Sequence, residues 1–304
     1  MSTSIAPVPG TGTEPTGTGP RDFRTVGQIR RRRVLGTVLT YVAAAAVGLF
    51  SVFPIYWMLI TSVKQQSEIV TTTPVFWPTD FRFDRFGHVL ELGFATYLRN
   101  SLIVAAGTTL AGLVVAVLAG YALARFQMPF RRYLLLIVLS TQLFPVVVLI
   151  IPLFIVMRNL GLLGSLFGLV IAYLAFITPL MIWMLRGFFL SVPKELEEAA
   201  LIDGCTRFGA MIRVIMPLAG PGIAAVSIFA WIAAWNEFLL ALTFVKSDEL
   251  RTLPVGLQTF VQQEVADYGG IMAASVMFTL PVVIFFLFVH KKLTTGMVAG
   301  AVKG

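Results

Sequence analysis

Ser191-Val192-Pro193-Lys194-Glu195-Leu196-Glu197-Glu198-Ala199-Ala200-Leu201-Ile202-Asp203-Gly204 is a polar, helix-forming stretch between two long charge-free ones, residues 159–185 and 214–236. Ser191 is placed to cap a helix, Pro193 fits its first turn, and the three Glu near its start favour the positive end of the helix dipole. Asp203-Gly204 stops it, with Gly supplying the left-handed conformation that ends many helices. Thr206 is placed to cap a second helix over 207–216, which Pro217 and Gly220-Pro221-Gly222 separate from the apolar run that follows. The result is a short helix, a tight turn and another helix projecting between two apolar segments. Leu196, Ala199, Ala200 and Ile202 give the first helix a small apolar patch beside its acids. Small side chains permit close insertion into a groove, so the stretch reads as a docking knob rather than an ordinary connecting loop.

The flanks set the fold class. Of the 304 residues only 12% are charged, about half the roughly 25% of a soluble globular chain. Charge-free stretches run 34–63, 100–124, 133–157, 159–185, 214–236 and 268–290, and a bilayer-spanning helix needs about 20 such residues. The sequence thus predicts an all-α membrane protein with six transmembrane helices, near 34–61, 101–124, 133–157, 166–188, 221–245 and 269–290. A soluble enzyme, a disulfide-stapled secreted domain and a disordered protein are excluded.

The same arithmetic limits the chemistry. One Cys, Cys205, leaves no intrachain disulfide and no CxxC pair. The two His, His88 and His290, lie in separate regions, which argues against a metal cage. No Gly-Lys dipeptide occurs, so there is no Walker A phosphate loop and no nucleotide-hydrolysing machinery in this chain. No cofactor, metal or catalytic residue is expected.

Charge distribution predicts orientation. With the N-terminus cytoplasmic, the inside segments hold sixteen Lys and Arg, including the Arg30–Arg33 run, and the outside segments hold seven. The positive-inside rule then puts both termini in the cytoplasm. It also makes the Arg run a topology anchor, not a nucleic-acid patch. Residues 1–20 contain fifteen Pro, Gly, Thr or Ser, so 1–33 is expected to be a disordered cytoplasmic tail. The first apolar run starts too late and is too long for a cleaved signal peptide. The 64–99 and 246–267 segments are the larger outside loops, and Trp77 and Tyr97 read as interfacial aromatics.

Within the spans, Thr108, Gly112, Ala116, Gly120 and Ala124 recur every four residues. That stripe lets another helix approach closely where no hydrophobic effect drives association. Pro145, Pro152 and Pro179 imply kinks, tolerated where freed carbonyls are buried in protein or line a cavity. Glu237 is the one acidic residue in a span, on a predicted face with Ala230, Ala234 and Ala241, beside a stripe of Trp231, Trp235 and Phe238. Two readings stand: Asn236 and Glu237 line a cavity in which Trp rings stack on substrate, or they bind a neighbouring helix and hold the bundle together. A secondary transporter or channel would need inverted repeats or ion-coupling carboxylates, and no repeat is found. Proline-broken spans argue against an inert scaffold.

Glu198-Ala199-Ala200-x-x-Asp203-Gly204, followed by Pro217-Leu218, resembles the EAA loop of permease subunits of binding-protein-dependent ABC importers. Trp235-Asn236-Glu237-Phe238, Gly120-Tyr121-Ala122-Leu123-Ala124-Arg125 and the terminal Gly300-Ala301-Val302-Lys303-Gly304 narrow the resemblance to the carbohydrate branch, the second permease subunit of the maltose/trehalose type. It covers roughly residues 34–304, departing at Cys205, where Ala is usual, and at Met211, where an aromatic is common.

The resemblance implies a type I ABC importer permease fold in a bacterial inner membrane: a six-helix domain over 34–292 with a cytoplasmic coupling loop at 193–217 and a C-terminal tail at 293–304. It implies a homologous second permease, two ATPase subunits carrying ATP and Mg, an extracytoplasmic sugar-binding protein and a di- or oligosaccharide substrate. Lipid surrounds the complex, and nucleic acid has no part. Another polar solute such as glycerol phosphate is the alternative cargo. Glu198, Ala199, Ala200, Asp203, Gly204 and Pro217 would contact the ATPase. Gln142, Trp235, Asn236 and Glu237 would belong to the pathway or its gate. Gly300 and Lys303 would lie in a tail too Gly-rich for a helix, which either frays or threads into the ATPase dimer.

Overall fold

The structure, a computed structural model, describes residues 26–263 and 267–301. The regular elements among the described residues are helices. The chain divides into two compact units, residues 1–55 and 56–304. In the first, the described residues belong to α1 (Val26–Val63), whose side chains from Val34 to Ile55 are exposed. Helix begins at Val26, so residues 26–33, assigned to a disordered tail, are helical. The straight-chain arginines 30–33 are good helix formers and extend the apolar run backward. Residues 1–25 lie outside the described ones.

The second unit is built on α2 (Ala95–Arg125), α3 (Arg131–Leu143), α4 (Val146–Asn159), α5 (Leu166–Ser191), α6 (Lys194–Ile202), α7 (Arg207–Leu218), α8 (Gly220–Trp235), α9 (Leu239–Phe244), α10 (Leu253–Gln263) and α11 (Tyr268–Ala301). Helices α2 and α5 make the most extensive pairing, and α8 packs on both and on α11. The small-residue stripe is the reason. Thr108, Gly112, Ala116, Gly120 and Ala124 are all buried. A Cβ added at Gly120 would lie 3.2 Å from the Arg186 backbone nitrogen and 3.3 Å from the Ile182 carbonyl oxygen, so at Gly120 α2 and α5 touch backbone to backbone.

Among the described residues, Val34–Val63, Asp84–Arg125, Leu166–Ser191 and Tyr268–His290 are long and apolar enough to cross a membrane, and counting each of two bent helix pairs as one span gives up to six. Those pairs correct the expected spans. The third, expected as one helix over 133–157, is α3 and α4 meeting at 101°. Pro145 lacks an N–H and holds Phe144 extended (φ −81°, ψ 125°), so the helix cannot continue through it. The fifth, expected over 221–245, ends at Trp235, and its partner in the second bent pair is α7, at 79°. The sixth continues through Gly296 and Gly300 to Ala301, past the expected tail boundary. Each Gly costs about 1 kcal/mol relative to Ala in a helix, which a 34-residue helix already nucleated can carry.

Away from Arg125, the other end of α2 is tied to the segments around it. Asn100 donates to the carbonyls of Glu249 and Arg251 at 2.8 and 2.9 Å, and Ser101 Oγ accepts from Leu253 N–H at 2.7 Å. These bonds hold the start of α10, a helix that the turn-rich 246–267 stretch did not announce. Arg85 pairs with Asp267 at 3.3 Å and donates to the Lys64 carbonyl, anchoring the 64–99 segment to the start of α11. In that segment Thr79 donates its hydroxyl and N–H to Glu68, holding the carboxyl below its ordinary pKa.

Candidate functional site

Two places carry the residues of interest: the hairpin formed by α6 and α7, and the break after α8. The hairpin turns as its chemistry dictates. Gly204 has φ +85°. Cys205 N–H donates to the Ala200 carbonyl at 3.0 Å and Gly204 N–H to the Leu201 carbonyl at 3.1 Å, the two bonds of a Schellman cap. Thr206 Oγ1 accepts from Gly209 N–H at 3.1 Å and caps α7. Ser191 does not cap α6. It is the last residue of α5, its hydroxyl donates to Phe188, and Pro193 takes the flanking position, because extended Val192 inserts a break between the helices.

Of the residues expected to contact a partner, Glu198, Ala199, Asp203, Gly204 and Pro217 are exposed, whereas Ala200 is buried at 7%. Leu196 and Ile202 of the predicted apolar patch face out with Phe208 and Ile212, and Ile202 is 85% exposed. Large apolar side chains so placed beside charges are of the kind found where a protein meets another protein or a membrane.

Beneath that surface lies a cluster that pattern reading missed. Glu197 is 6% exposed. Its Oε1 accepts from the Tyr121 hydroxyl at 2.5 Å, and its Oε2 pairs with Arg125 Nε at 2.8 Å. Removing one partner of a buried ion pair costs about 3–5 kcal/mol, because the other charge is left uncompensated. The available signal was the pair of consecutive glutamates. Neighbours on a helix point in different directions, so Glu197 and Glu198 cannot both meet one partner.

The second place differs from expectation. Trp235 is 1% exposed and lies against Phe278 at 5.8 Å, while Trp231 stacks on Phe285 at 4.2 Å. Both rings are covered by packing within the chain, the arrangement of the reading in which this stretch holds the bundle together. The predicted face joining Ala230, Ala234, Glu237 and Ala241 does not exist, because the helix stops at Trp235. Asn236 is exposed and donates to the Ile232 carbonyl of its own helix at 2.8 Å. Glu237 accepts from the N–H groups of Leu240 and Ala241 at 2.8 and 3.1 Å, so its carboxylate caps α9. Gln142, at the α3–α4 break, is exposed and donates to the Phe176 carbonyl at 2.8 Å. Gly300 lies in the last turns of α11, and Lys303 lies outside the described residues.

The cap yields a prediction. Glu237→Gln keeps an acceptor for α9 and should retain most function. Glu237→Leu loses both bonds at a cost of about 1–3 kcal/mol, and its thermal midpoint in detergent should fall clearly below that of Gln. Equal midpoints for the two variants would remove the capping role.

Residues 112–297 match the model of the family described as binding-protein-dependent transport system inner membrane component. The diacetylchitobiose uptake system permease protein of Streptomyces coelicolor is 40% identical over 275 residues, which is 90% of this chain and 100% of that protein. The trehalose/maltose transport system permease protein of Thermococcus litoralis is 34% identical over 279 residues, 90% of this chain and 99% of that one. The structure aligns with a crystal structure of a bacterial ABC transporter involved in the import of the acidic polysaccharide alginate. The TM-score is 0.72 and the identity 26%, covering 86% of this chain and 97% of that one. Helical architecture, the hairpin after the fourth apolar helix and these matches agree: the chain belongs to the binding-protein-dependent transport system inner membrane components, the multi-pass permease subunits of ABC importers.

Proposed function

We propose that this chain is one of two permease subunits of an ATP-driven importer for a di- or oligosaccharide in a bacterial cell membrane, with both termini cytoplasmic. The observation that carries the reading is the hairpin: exposed Glu198, Ile202 and Phe208 on a helix pair with a capped turn, mounted on the α2–α5 core by a buried ion pair. A groove on each of two separate ATPase subunits, which bind ATP and Mg, receives such a hairpin. Sugar as cargo is supported by what similar permeases are named for, and an extracytoplasmic binding protein delivers it. The pathway forms between this chain and its partner permease. Gln142 and Asn236 put exposed polar groups at helix breaks within the apolar stretches, and irregular backbone in a bilayer is tolerated only beside protein or a water-filled cavity. ATPase closure displaces the hairpin, and the helices alternate between two packings.

Affinity purification of the tagged chain from its native membrane tests the assembly. It should bring down a second, non-identical permease and an ATP-binding subunit. A chain recovered alone, or only with copies of itself, would contradict the assignment.

A further inference from the structure

Glu197 and Glu198 are neighbours with opposite environments, one buried in the unit and one exposed. Both carboxylate oxygens of Glu197 are engaged, one by Tyr121 and one by Arg125. Arg125 also donates from Nη2 to the Val192 carbonyl at 2.9 Å. That carbonyl is where the chain leaves α5, just before Pro193, whereas Glu197 is one turn into α6. A single guanidinium at the end of α2 thus grips both ends of the α5–α6 connection. The Tyr121 ring sits edge-on to Phe189 of α5 and to Phe126, with 6.1 Å between centroids in each case. Arg207, the first residue of α7, lies over the Phe126 ring at 5.3 Å. One turn back, at Gly120, α2 and α5 touch backbone to backbone.

A helix attached only by a flexible link would move without moving the bundle. Charge-assisted hydrogen bonds with fixed geometry remove that freedom. Apolar packing tolerates sliding, whereas removing one partner of a buried pair leaves an uncompensated charge, so the pair resists displacement of either side. We propose that Tyr121, Arg125 and Glu197 are positioning residues that form the joint carrying displacement of α6 into α2 and α5, so that the work of the ATPase reaches the spans. This rests on reading the α6–α7 hairpin as the ATPase contact.

The test uses the complete importer in proteoliposomes and measures sugar translocated per ATP hydrolysed, alongside the amount of assembled complex. Glu197→Gln keeps the shape of the side chain and loses its charge. Tyr121→Phe keeps the ring between Phe126 and Phe189 and loses one hydrogen bond. Each should assemble and hydrolyse ATP while the ratio falls, by about tenfold or more for Glu197→Gln, which leaves the buried Arg125 guanidinium without its countercharge, and by less for Tyr121→Phe, which removes one hydrogen bond to the carboxylate. If Glu197→Gln does not accumulate, the ratio for Tyr121→Phe decides. A wild-type ratio overturns the joint, whether rates are normal or transport and hydrolysis fall together, since a merely structural role lowers both in proportion. Gly204→Val separates the two ideas. If it loses uptake while Glu197→Gln keeps the wild-type ratio, only the joint fails; if Gly204→Val also transports normally, the hairpin reading fails.

Discussion

Replacing Gly204 by Val should bring sugar uptake to background while the chain still inserts in the membrane. At φ +85° the residue lies where a Cβ meets its own backbone, at about 1–2 kcal/mol for an ordinary side chain, and a β-branched one is an outlier there. No heavy atom lies within 4 Å of a Cβ built at this position, so crowding plays no part. Strain alone acts. Relief requires a negative φ, which breaks the two cap bonds through Ala200 and Leu201 and re-aims α7 relative to α6. The prediction is therefore a series. Asn, which tolerates the left-handed region, should keep most uptake, Ala should keep part, and Val none. Equal uptake by Asn and Val variants, at equal membrane abundance, would show that the turn's conformation does not matter.

Gly120→Val should act differently, by reducing the amount of folded protein. The atoms nearest an added Cβ are the Arg186 nitrogen at 3.2 Å, the Ile182 oxygen at 3.3 Å and Leu185 Cβ at 3.3 Å. Backbone cannot rotate aside as a side chain can, so α2 and α5 must separate along their most extensive interface. Overpacking of this kind costs about 1–3 kcal/mol or more, and membrane abundance should fall severely with a lowered thermal midpoint. Gly107→Ala is the contrast: its nearest neighbour is Val170 Cγ2 at 3.1 Å, a side-chain atom that can give, and the effect should be small. Wild-type abundance and midpoint for Gly120→Val would mean that the stripe does not set the helix spacing.

What could be read from the sequence was whatever one residue type imposes locally. The helix stops at Gly204 and restarts at Thr206 because of backbone and cap chemistry, and the charge-free stretches follow from the bilayer alone. Breaks inside those stretches were harder to read. Pro145 marked a kink, but its size, 101°, was not legible, and the end of the helix at Trp235 carries no proline to announce it. Glu237 read as a membrane-embedded carboxylate on a small-residue face, although a carboxylate can equally cap a new helix from outside it. Burial of Trp235 depends on Phe278, 43 residues away. The Tyr121–Arg125–Glu197 cluster joins residues 76 apart, and only the three-dimensional arrangement brings them together.

On the proposed function, this chain conducts a sugar inward at the expense of ATP hydrolysed on other subunits. Uptake of labelled di- and oligosaccharides by a strain lacking the gene, with and without the wild-type chain restored, tests it most directly. Uptake of at least one such sugar should be lost in the deletion strain, return with the wild-type chain, and not return with Gly204→Val. Undiminished uptake of every sugar in the deletion strain, with loss of a non-carbohydrate solute instead, would contradict it.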